Sequence, residues 1–376
     1  MNDTQSIENG YLVLTMMPSL YCPYNCSHCY LSLEQRRDPY VMPIHEVSKI
    51  LRKIYDYYKL ERQLDSIVIK SYYYGGEPLS MGLDYMQSMF DAFDEILPKE
   101  EGFDISHVVL SSLLTDDLES WLPFIRDRCN SYIQTSYDGL MRGKGYLKRW
   151  ERQVKKVIAS GIRVATISVV NSELLENGAE KTINYLGDLG ITESGWLPFM
   201  LNEQNNGAKY DRYAPTLTAF NDFMIDLTSE WHRLESIGVS VPIVGEAVFI
   251  AEKLSSGDSS NMAVQTLFLL PDGTICLPDY MDGYKEFLRP FGNILEADSF
   301  SEIVNSEART DYMLKQFLRN NNPECRKCEF KNSCLMEFAK ENKGSDECFG
   351  GKRFAEWISS QGSVRQLAHE KSGDLF

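Results

Sequence analysis

Three cysteines near the amino end have the spacing of a metal-binding loop. Within residues 20–30, LYCPYNCSHCY, Cys22, Cys26 and Cys29 follow the pattern C-x3-C-x2-C, directly after an apolar run at Tyr11–Met16. Three thiolates on one short loop can bind three irons of a [4Fe-4S] cube, which leaves the fourth iron without a protein ligand. An open coordination position is typical of metal sites that carry out chemistry. The loop therefore predicts a reactive iron–sulfur centre.

A zinc knuckle and a disulfide framework are the two alternatives for this loop. Zinc requires a fourth Cys or His ligand, and His28 lies between two of the cysteines, where its ring cannot easily join them. A disulfide framework conflicts with the odd number of cysteines, nine, and with an N-terminal sequence that does not resemble a secretory signal. The cluster is the interpretation that the spacing favours.

A second candidate site follows the predicted strand Ile67–Tyr73. It consists of Gly75, Gly76, Glu77 and Pro78, the sequence GGEP. Glycines at the carboxyl end of a strand let a ligand approach the backbone closely, and a glutamate there can accept hydrogen bonds from an ammonium group. A tight turn without any ligand also uses such residues, so the motif indicates a binding site mainly because it follows a predicted strand.

Together, the two motifs resemble those of the radical S-adenosylmethionine (SAM) superfamily. In that family the open iron takes the amino and carboxylate groups of SAM, and an electron from the cluster splits SAM to yield a 5'-deoxyadenosyl radical. The resemblance implies that His28 is the ring-bearing residue before the last cysteine. It also implies that the GGEP motif binds the methionine amino group of SAM.

Weaker similarities to this family follow later predicted strands. Ser136 begins a Ser-x-Asp-Gly turn and is a candidate contact for the SAM ribose or carboxylate. Arg142 lies where relatives often carry an arginine near the SAM carboxylate, and Asn171, at the end of the fifth strand, is a further candidate. Turn chemistry explains Asp-Gly and Asn without any ligand. Where relatives often show Thr-Asn-Gly after the third strand, this chain has Ser-Ser-Leu at residues 111–113.

The elements that position these residues alternate between strand-like runs and amphipathic helical segments, which is typical of repeated βα units with a parallel sheet. We predict an α/β fold, a partial (β/α)6 TIM-like barrel followed by a smaller C-terminal α+β iron–sulfur domain, with ligands at the carboxyl ends of the strands. The predicted strands are Tyr11–Met16, Ile67–Tyr73, His107–Ser111, Tyr132–Ser136, Val164–Val170 and Ser194–Phe199.

Three regions are expected along the chain. Residues 1–207 form the barrel, residues 208–260 a linker region with one long amphipathic helix, and residues 261–376 the C-terminal domain. In the last region, residues 267–270 and 274–277 flank Pro-Asp-Gly and predict a β-hairpin.

The C-terminal region contains a second cysteine group, Cys325, Cys328, Cys334 and Cys348. Four thiolates with a C-x2-C nucleus can bind zinc or complete an iron–sulfur cluster. Beside the first motif, the group resembles the SPASM and twitch extensions of radical SAM enzymes. That resemblance implies one auxiliary [4Fe-4S] cluster. Cys276 is then a spare thiol, an alternative ligand or part of the substrate site.

Asp279 is the candidate acid–base residue. It lies six residues after a hairpin glycine, the offset at which sulfatase-maturing relatives place a catalytic aspartate. A carboxylate there can take a proton from a substrate radical. The alternative is a solvated loop aspartate beside a proline.

Composition limits the partners. The formal net charge of −16 argues against nucleic acid as a substrate, and no stretch is long and apolar enough for a membrane span. The resemblance to proteins with SPASM or twitch extensions implies an enzyme that oxidises or cross-links a ribosomally made peptide precursor, with an electron donor of the flavodoxin or ferredoxin type, and we expect it in the cytoplasm. The alternatives are a small-molecule dehydrogenase or epimerase acting on an aminoglycoside or nucleoside, and a non-catalytic zinc-binding interaction protein.

Overall fold

The fold is organised around one ten-stranded sheet. The structure is a computed structural model that describes residues 5–205, 207–257, 262–278, 287–318, 327–331, 333–334 and 351–375. The strand order is β10-β9-β8-β1-β2-β3-β4-β5-β6-β7. The strands are β1 Tyr11–Met16, β2 Ile67–Tyr73, β3 Phe103–Ser111, β4 Tyr132–Ser136, β5 Arg163–Val169, β6 Glu193–Leu197, β7 Ile243–Val244, β8 Thr266–Leu269, β9 Thr274–Pro278 and β10 Leu288–Asn293.

Strands β1 to β6 are parallel and adjacent in chain order, which confirms the predicted α/β barrel of six units. Strand β3 begins at Phe103 rather than at His107. The four additional residues include Asp104 and Ser106, which interrupt the apolar pattern, yet they pair in register with β2. Hydrogen bonding to the neighbouring strand therefore extends β3 beyond its apolar part.

Two further parallel contacts lengthen the sheet at both edges. Strand β7 pairs with β6, and β8 pairs with β1 before it turns back into β9. The β8–β9 pair is the predicted hairpin. Its turn is stabilised by the Thr274 N–H, which donates to Asp272 Oδ1 at 3.0 Å. The hairpin thus continues the barrel sheet, and the expected boundaries at residues 207 and 260 stay predictions.

Helices cover the outer face of the sheet. Strand β2 buries alternate residues, and its last one, Tyr73, stacks on Phe90 of the helix that follows, with 4.7 Å between ring centroids. The long helix expected after residue 208 is found. The helices are α1 Leu33–Arg37, α2 Ile44–Asp56, α3 Leu83–Ile96, α4 Leu118–Arg128, α5 Lys144–Ala159, α6 Ser172–Asn177, α7 Ala179–Leu189, α8 Ala208–Tyr213, α9 Leu217–Ser236, α10 Gly245–Ser256, α11 Met262–Gln265, α12 Phe300–Val304, α13 Glu307–Leu318, α14 Lys352–Ser360 and α15 Gly362–Lys371.

Large aromatic side chains fill the layer between sheet and helices. Trp121, Trp150, Trp196 and Trp231 are fully buried there. Burying a large apolar side chain contributes about 1.5–3 kcal/mol, so these residues hold the helices firmly against the strands. Over the described residues, no helix combines the length and the apolar character that crossing a bilayer requires.

Candidate active site

The predicted cluster loop follows β1 and is shaped by backbone hydrogen bonds. The Cys22 N–H donates to the Arg36 carbonyl at 3.0 Å, and the Cys29 N–H donates to the Cys26 carbonyl at 3.3 Å. Arg36 is buried, and its Nη1 donates to the Tyr24 carbonyl and to Asn25 Oδ1 at 2.8 and 3.0 Å. Helix α1 therefore fixes the loop through one arginine, which the sequence analysis missed.

The three thiols of this loop are free and partly buried. Burial, with smaller contributions from the nearby Glu77, Cys26 and Cys29, raises the pKa of the Cys22 thiol to about 12. Cluster binding requires thiolates, so loading must displace these protons. Three thiols on one short loop are the type of donor that an iron–sulfur cluster takes. Within the described ranges, no three His, Cys, Asp or Glu side chains already form a metal-ready group, and the ligand assignment stays a prediction.

The GGEP loop is bonded directly to the cysteine loop. The Glu77 N–H donates to the Tyr21 carbonyl at 2.8 Å, and the Gly76 N–H donates to the Ser19 carbonyl at 3.3 Å. A Cβ atom on Gly76 would lie only 1.9 Å from the Tyr21 carbonyl oxygen. Glycine is required here because the two backbones touch, and this contact places Glu77 beside the cysteines.

The Glu77 carboxylate is buried and held by the loop after β3. Its Oε1 accepts from Ser111 Oγ at 2.5 Å and from the Leu79 N–H at 3.3 Å, and its Oε2 accepts from the Ser112 N–H at 2.9 Å. Leu113, which follows, is fully buried and has a positive φ of 61°, an unusual conformation for a bulky residue. Pro78 begins the short turn Pro78–Met81.

A charged network includes His28 of the cysteine loop. Arg142 Nε donates to Asp138 Oδ2 at 2.5 Å, and the His28 Nε2 lies 3.8 Å from the same oxygen. Burial acts to raise the pKa of Asp138, but the charges of Arg142 and His28 outweigh it and the pKa is lowered. Burial also lowers the pKa of His28 to about 4. Arg142 Nη1 further donates to Tyr146 Oη at 2.8 Å.

The remaining candidates near the strand ends have different environments. Ser136 ends β4 and is partly exposed. Asn171 is fully buried: its Oδ1 accepts from the Glu173 and Leu174 N–H groups at the start of α6. Its Nδ2 donates to the Asp138 carbonyl at 3.2 Å. Asn171 thus supports the Asp138 turn, and a direct contact with a cofactor stays a prediction.

The C-terminal candidates are described only in part. Cys328 and Cys334 are partly buried, and the Gly351 N–H donates to Cys334 Sγ at 3.3 Å. Cys276 is fully buried in β9, where burial raises the pKa of its thiol to about 12. The other candidates, Cys325, Cys348 and Asp279, lie outside the described residues.

Sequence reasoning missed three groups that shape the site. Arg36 has no local signal, because its partners are backbone and side-chain groups 11 and 12 residues away. Ser111 and Ser112 appeared only as a departure from the family pattern. The link between Asp138 and Arg142 was detectable, since an acid and a base four residues apart often pair.

Comparison with known proteins identifies the fold. No family model matches the sequence, and no curated protein matches it. Among solved structures, anSMEcpe with bound AdoMet and Cp18Cys peptide is similar with a TM-score of 0.72 and 17% identity, over 96% of this chain and 99% of that one. Streptococcus suis SuiB bound to precursor peptide SuiA has a TM-score of 0.61 and 15% identity, over 87% of this chain and 71% of that one.

These likenesses establish the architecture. The chain shares the fold of anSMEcpe and of SuiB, and its own six consecutive parallel strands form a partial barrel. The similarity to anSMEcpe extends over nearly the whole length, 96% of this chain.

Proposed function

We propose that this protein is a radical SAM enzyme that modifies a peptide by oxidation or cross-linking. Cys22, Cys26 and Cys29 would hold the SAM-binding [4Fe-4S] cluster. Cys325, Cys328, Cys334 and Cys348 would hold one auxiliary [4Fe-4S] cluster. When bound, the clusters and SAM supply an electron that splits SAM, a 5'-deoxyadenosyl radical that removes hydrogen from the substrate, and a centre that takes up the remaining electron.

The contact between the two loops is the observation that carries this proposal. Glu77 is attached through its backbone to the loop of the three cysteines, and its carboxylate lies in a fixed orientation. A carboxylate held in advance accepts hydrogen bonds from an ammonium group without losing side-chain entropy at binding. Glu77 thereby orients the amino end of SAM beside the cysteines.

Arg142 supplies positive charge close to the cysteine loop. Its guanidinium partly offsets the effect of burial on the pKa of the Cys26 thiol, so it favours the thiolate that a cluster needs. Asp138 fixes the orientation of the guanidinium. The remaining donors of Arg142 suit a carboxylate such as that of SAM.

The choice of a peptide as substrate is supported by the solved structures. The anSMEcpe structure contains a Cp18Cys peptide, and the SuiB structure contains precursor peptide SuiA. Both share the fold of this chain. We place the enzyme in the cytoplasm, where thiols stay reduced, with a flavodoxin or ferredoxin as electron donor.

The test is reductive SAM cleavage by protein prepared without air. The wild type should contain roughly eight irons per chain, four for each of two cubes, and should release 5'-deoxyadenosine with dithionite and SAM. Cys26→Ala should release none, whereas Cys129→Ala, which removes a buried thiol directly after the end of α4, should retain the reaction. Zinc without iron would support an interaction protein instead.

A further inference from the structure

Glu246 is a carboxyl group at the edge of the barrel that the sequence analysis did not identify. It is the second residue of α10, a helix that begins directly after the two-residue strand β7. Its Oε1 accepts a hydrogen bond from the Trp196 N–H of β6 at 2.6 Å. The side chain therefore continues the pairing with β6 at the point where β7 ends.

This carboxyl lies beside the inner face of the barrel, in a row with a predicted SAM contact. Trp196 packs outward on Phe223 of α9, so its neighbour Gly195 faces inward. Ser136 of β4 lies opposite Ile167 of β5, and Ile167 lies opposite Gly195 of β6. Glu246 Oε1 lies 3.6 Å from the position that a Cβ atom on Gly195 would take. Adjacent strands are about 4.8 Å apart, so roughly 10 Å separates Ser136 from Gly195 along this row.

The second oxygen of Glu246 lacks a partner. Among the described residues, no group hydrogen-bonds to Oε2, although this atom is buried. Burial raises the pKa of Glu246 to about 7, against the opposing effect of the N–H groups of Trp196 and of Glu246 itself. No charged side chain in the described part of the chain contributes to that balance. A buried carboxyl oxygen usually has a hydrogen-bond partner, so we expect a ligand to supply one for Oε2.

Space for such a partner exists beside the carboxyl. A Cβ atom on Gly195 would make only ordinary contacts, at 3.6 Å with Glu246 Oε1 and at 3.8 Å with Ile167 and the Thr166 carbonyl. Gly195, Ile167 and Glu246 are each partly exposed, so the inner surface between them is accessible to a ligand group. A ligand group there would contact the carboxyl from the barrel side.

We propose that Glu246 binds a cationic nitrogen of the substrate, the ammonium or guanidinium group of a basic residue in the peptide. This inference rests on the proposed function, because it assigns the substrate to the same barrel. On binding, the carboxyl releases its proton to solvent, and the carboxylate forms an ion pair with the cation. A cation is the partner that a buried carboxyl gains most from, since it favours the charged form. The net charge of −16 draws such substrates toward the protein.

The binding test uses n-butylammonium as the probe. Enzyme with its clusters and SAM, labelled with 13C-glutamate, is titrated and followed by infrared difference spectroscopy. In the wild type the C=O band of a protonated glutamic acid should disappear as the probe binds. In Glu246→Gln that change should be absent and the apparent dissociation constant should rise tenfold or more, equivalent to about 1.4 kcal/mol.

Two variants separate the local effect from a general one. Glu252→Gln changes an exposed glutamate on the same helix and should bind the probe as the wild type does. Gly195→Val fills the space beside the carboxyl; it should weaken binding by a similar factor while the protonated band of the free enzyme persists. Equal affinity in the wild type and in Glu246→Gln, or no binding of the probe to the wild type, overturns the inference.

The source of the cation is distinguished in a second titration. Acetylated hexapeptide pools with one fixed central Lys, Gln or Asp are compared with the aminoglycoside kanamycin. The Lys pool should bind and lose its advantage in Glu246→Gln, whereas selective binding of kanamycin overturns the assignment to a peptide. SAM cleavage is measured in the same preparations: its failure in the wild type refutes the proposed function, and intact cleavage without cation binding refutes this inference alone.

Discussion

Ser111 Oγ donates a hydrogen bond of 2.5 Å to Oε1 of Glu77, and both groups are buried. The same hydroxyl oxygen accepts from the Leu113 N–H at 2.9 Å. Ser111 thus connects the loop after β3 to the carboxylate that would receive the amino group of SAM. The serine acts through Glu77, as a positioning residue.

Ser111→Ala should weaken SAM binding without abolishing the reaction. Loss of one hydrogen bond to a charged group costs about 1.5–3 kcal/mol, so the dissociation constant for SAM should rise more than tenfold. Isothermal titration of the cluster-loaded enzyme with SAM measures this, and KM should change more than kcat. Ser111→Thr retains the hydroxyl and should restore the affinity. An unchanged affinity in Ser111→Ala would show that Glu77 is held without this bond.

The Glu77 environment also shows what the sequence could and could not predict. The strand bounds of β1, β2 and β4 follow from apolar runs, because the helices bury one face of each strand. Ser111 and Glu77 are 34 residues apart, so no local pattern links them. Glu246 could not be identified from the sequence for a related reason. Strand β7 has two residues, which are too few to show a periodic pattern, and only its pairing with β6 brings the Glu246 carboxyl to Trp196.

Gly76→Ala should disrupt the contact between the two loops. The new Cβ atom would overlap the Tyr21 carbonyl oxygen, which is backbone and cannot rotate away. The cysteine loop must shift, so we expect iron bound at this site and SAM cleavage to fall at least tenfold. Iron analysis and 5'-deoxyadenosine release measure the two effects.

The matched control for that change is Gly145→Ala in α5. A Cβ atom on Gly145 would have no neighbour within 4 Å, and the φ angle of Gly145 is not in the left-handed region. This variant should bind iron and cleave SAM as the wild type does. If Gly76→Ala behaves in the same way, the loops are not held together by the close contact seen here.

His107 should make stability depend on pH. It is buried between Tyr73, whose Oη lies 2.8 Å from its Nδ1, and the ring of Phe90. Burial, with a smaller effect of the Arg128 charge, lowers the pKa of His107 from 6.5 to about 3. Below pH 6.5 the unfolded chain takes up a proton that the folded chain does not, so stability falls as the pH decreases through this window.

Between pH 6.5 and about pH 5, the free energy of unfolding should fall by about 2 kcal/mol because of His107, since each pKa unit corresponds to 1.36 kcal/mol. Thermal unfolding at both pH values measures it. His107→Gln should be less stable overall but should show a smaller decrease on acidification, whereas His45→Gln, an exposed change on α2, should keep the full decrease. Identical decreases in wild type and His107→Gln would mean that this imidazole is already protonated in the folded protein.

Cys334→Ala should remove the auxiliary cluster selectively. Its sulfur is partly buried and accepts a hydrogen bond from the Gly351 N–H, which fixes the position of the side chain. Because a closed cluster needs four thiolates, loss of one should lower the iron content from roughly eight to roughly four per chain. Mössbauer spectra of the two proteins should differ by one cluster, and formation of the modified peptide should stop. An iron content that stays at roughly eight, or zinc in place of the lost iron, would contradict the assignment of Cys334.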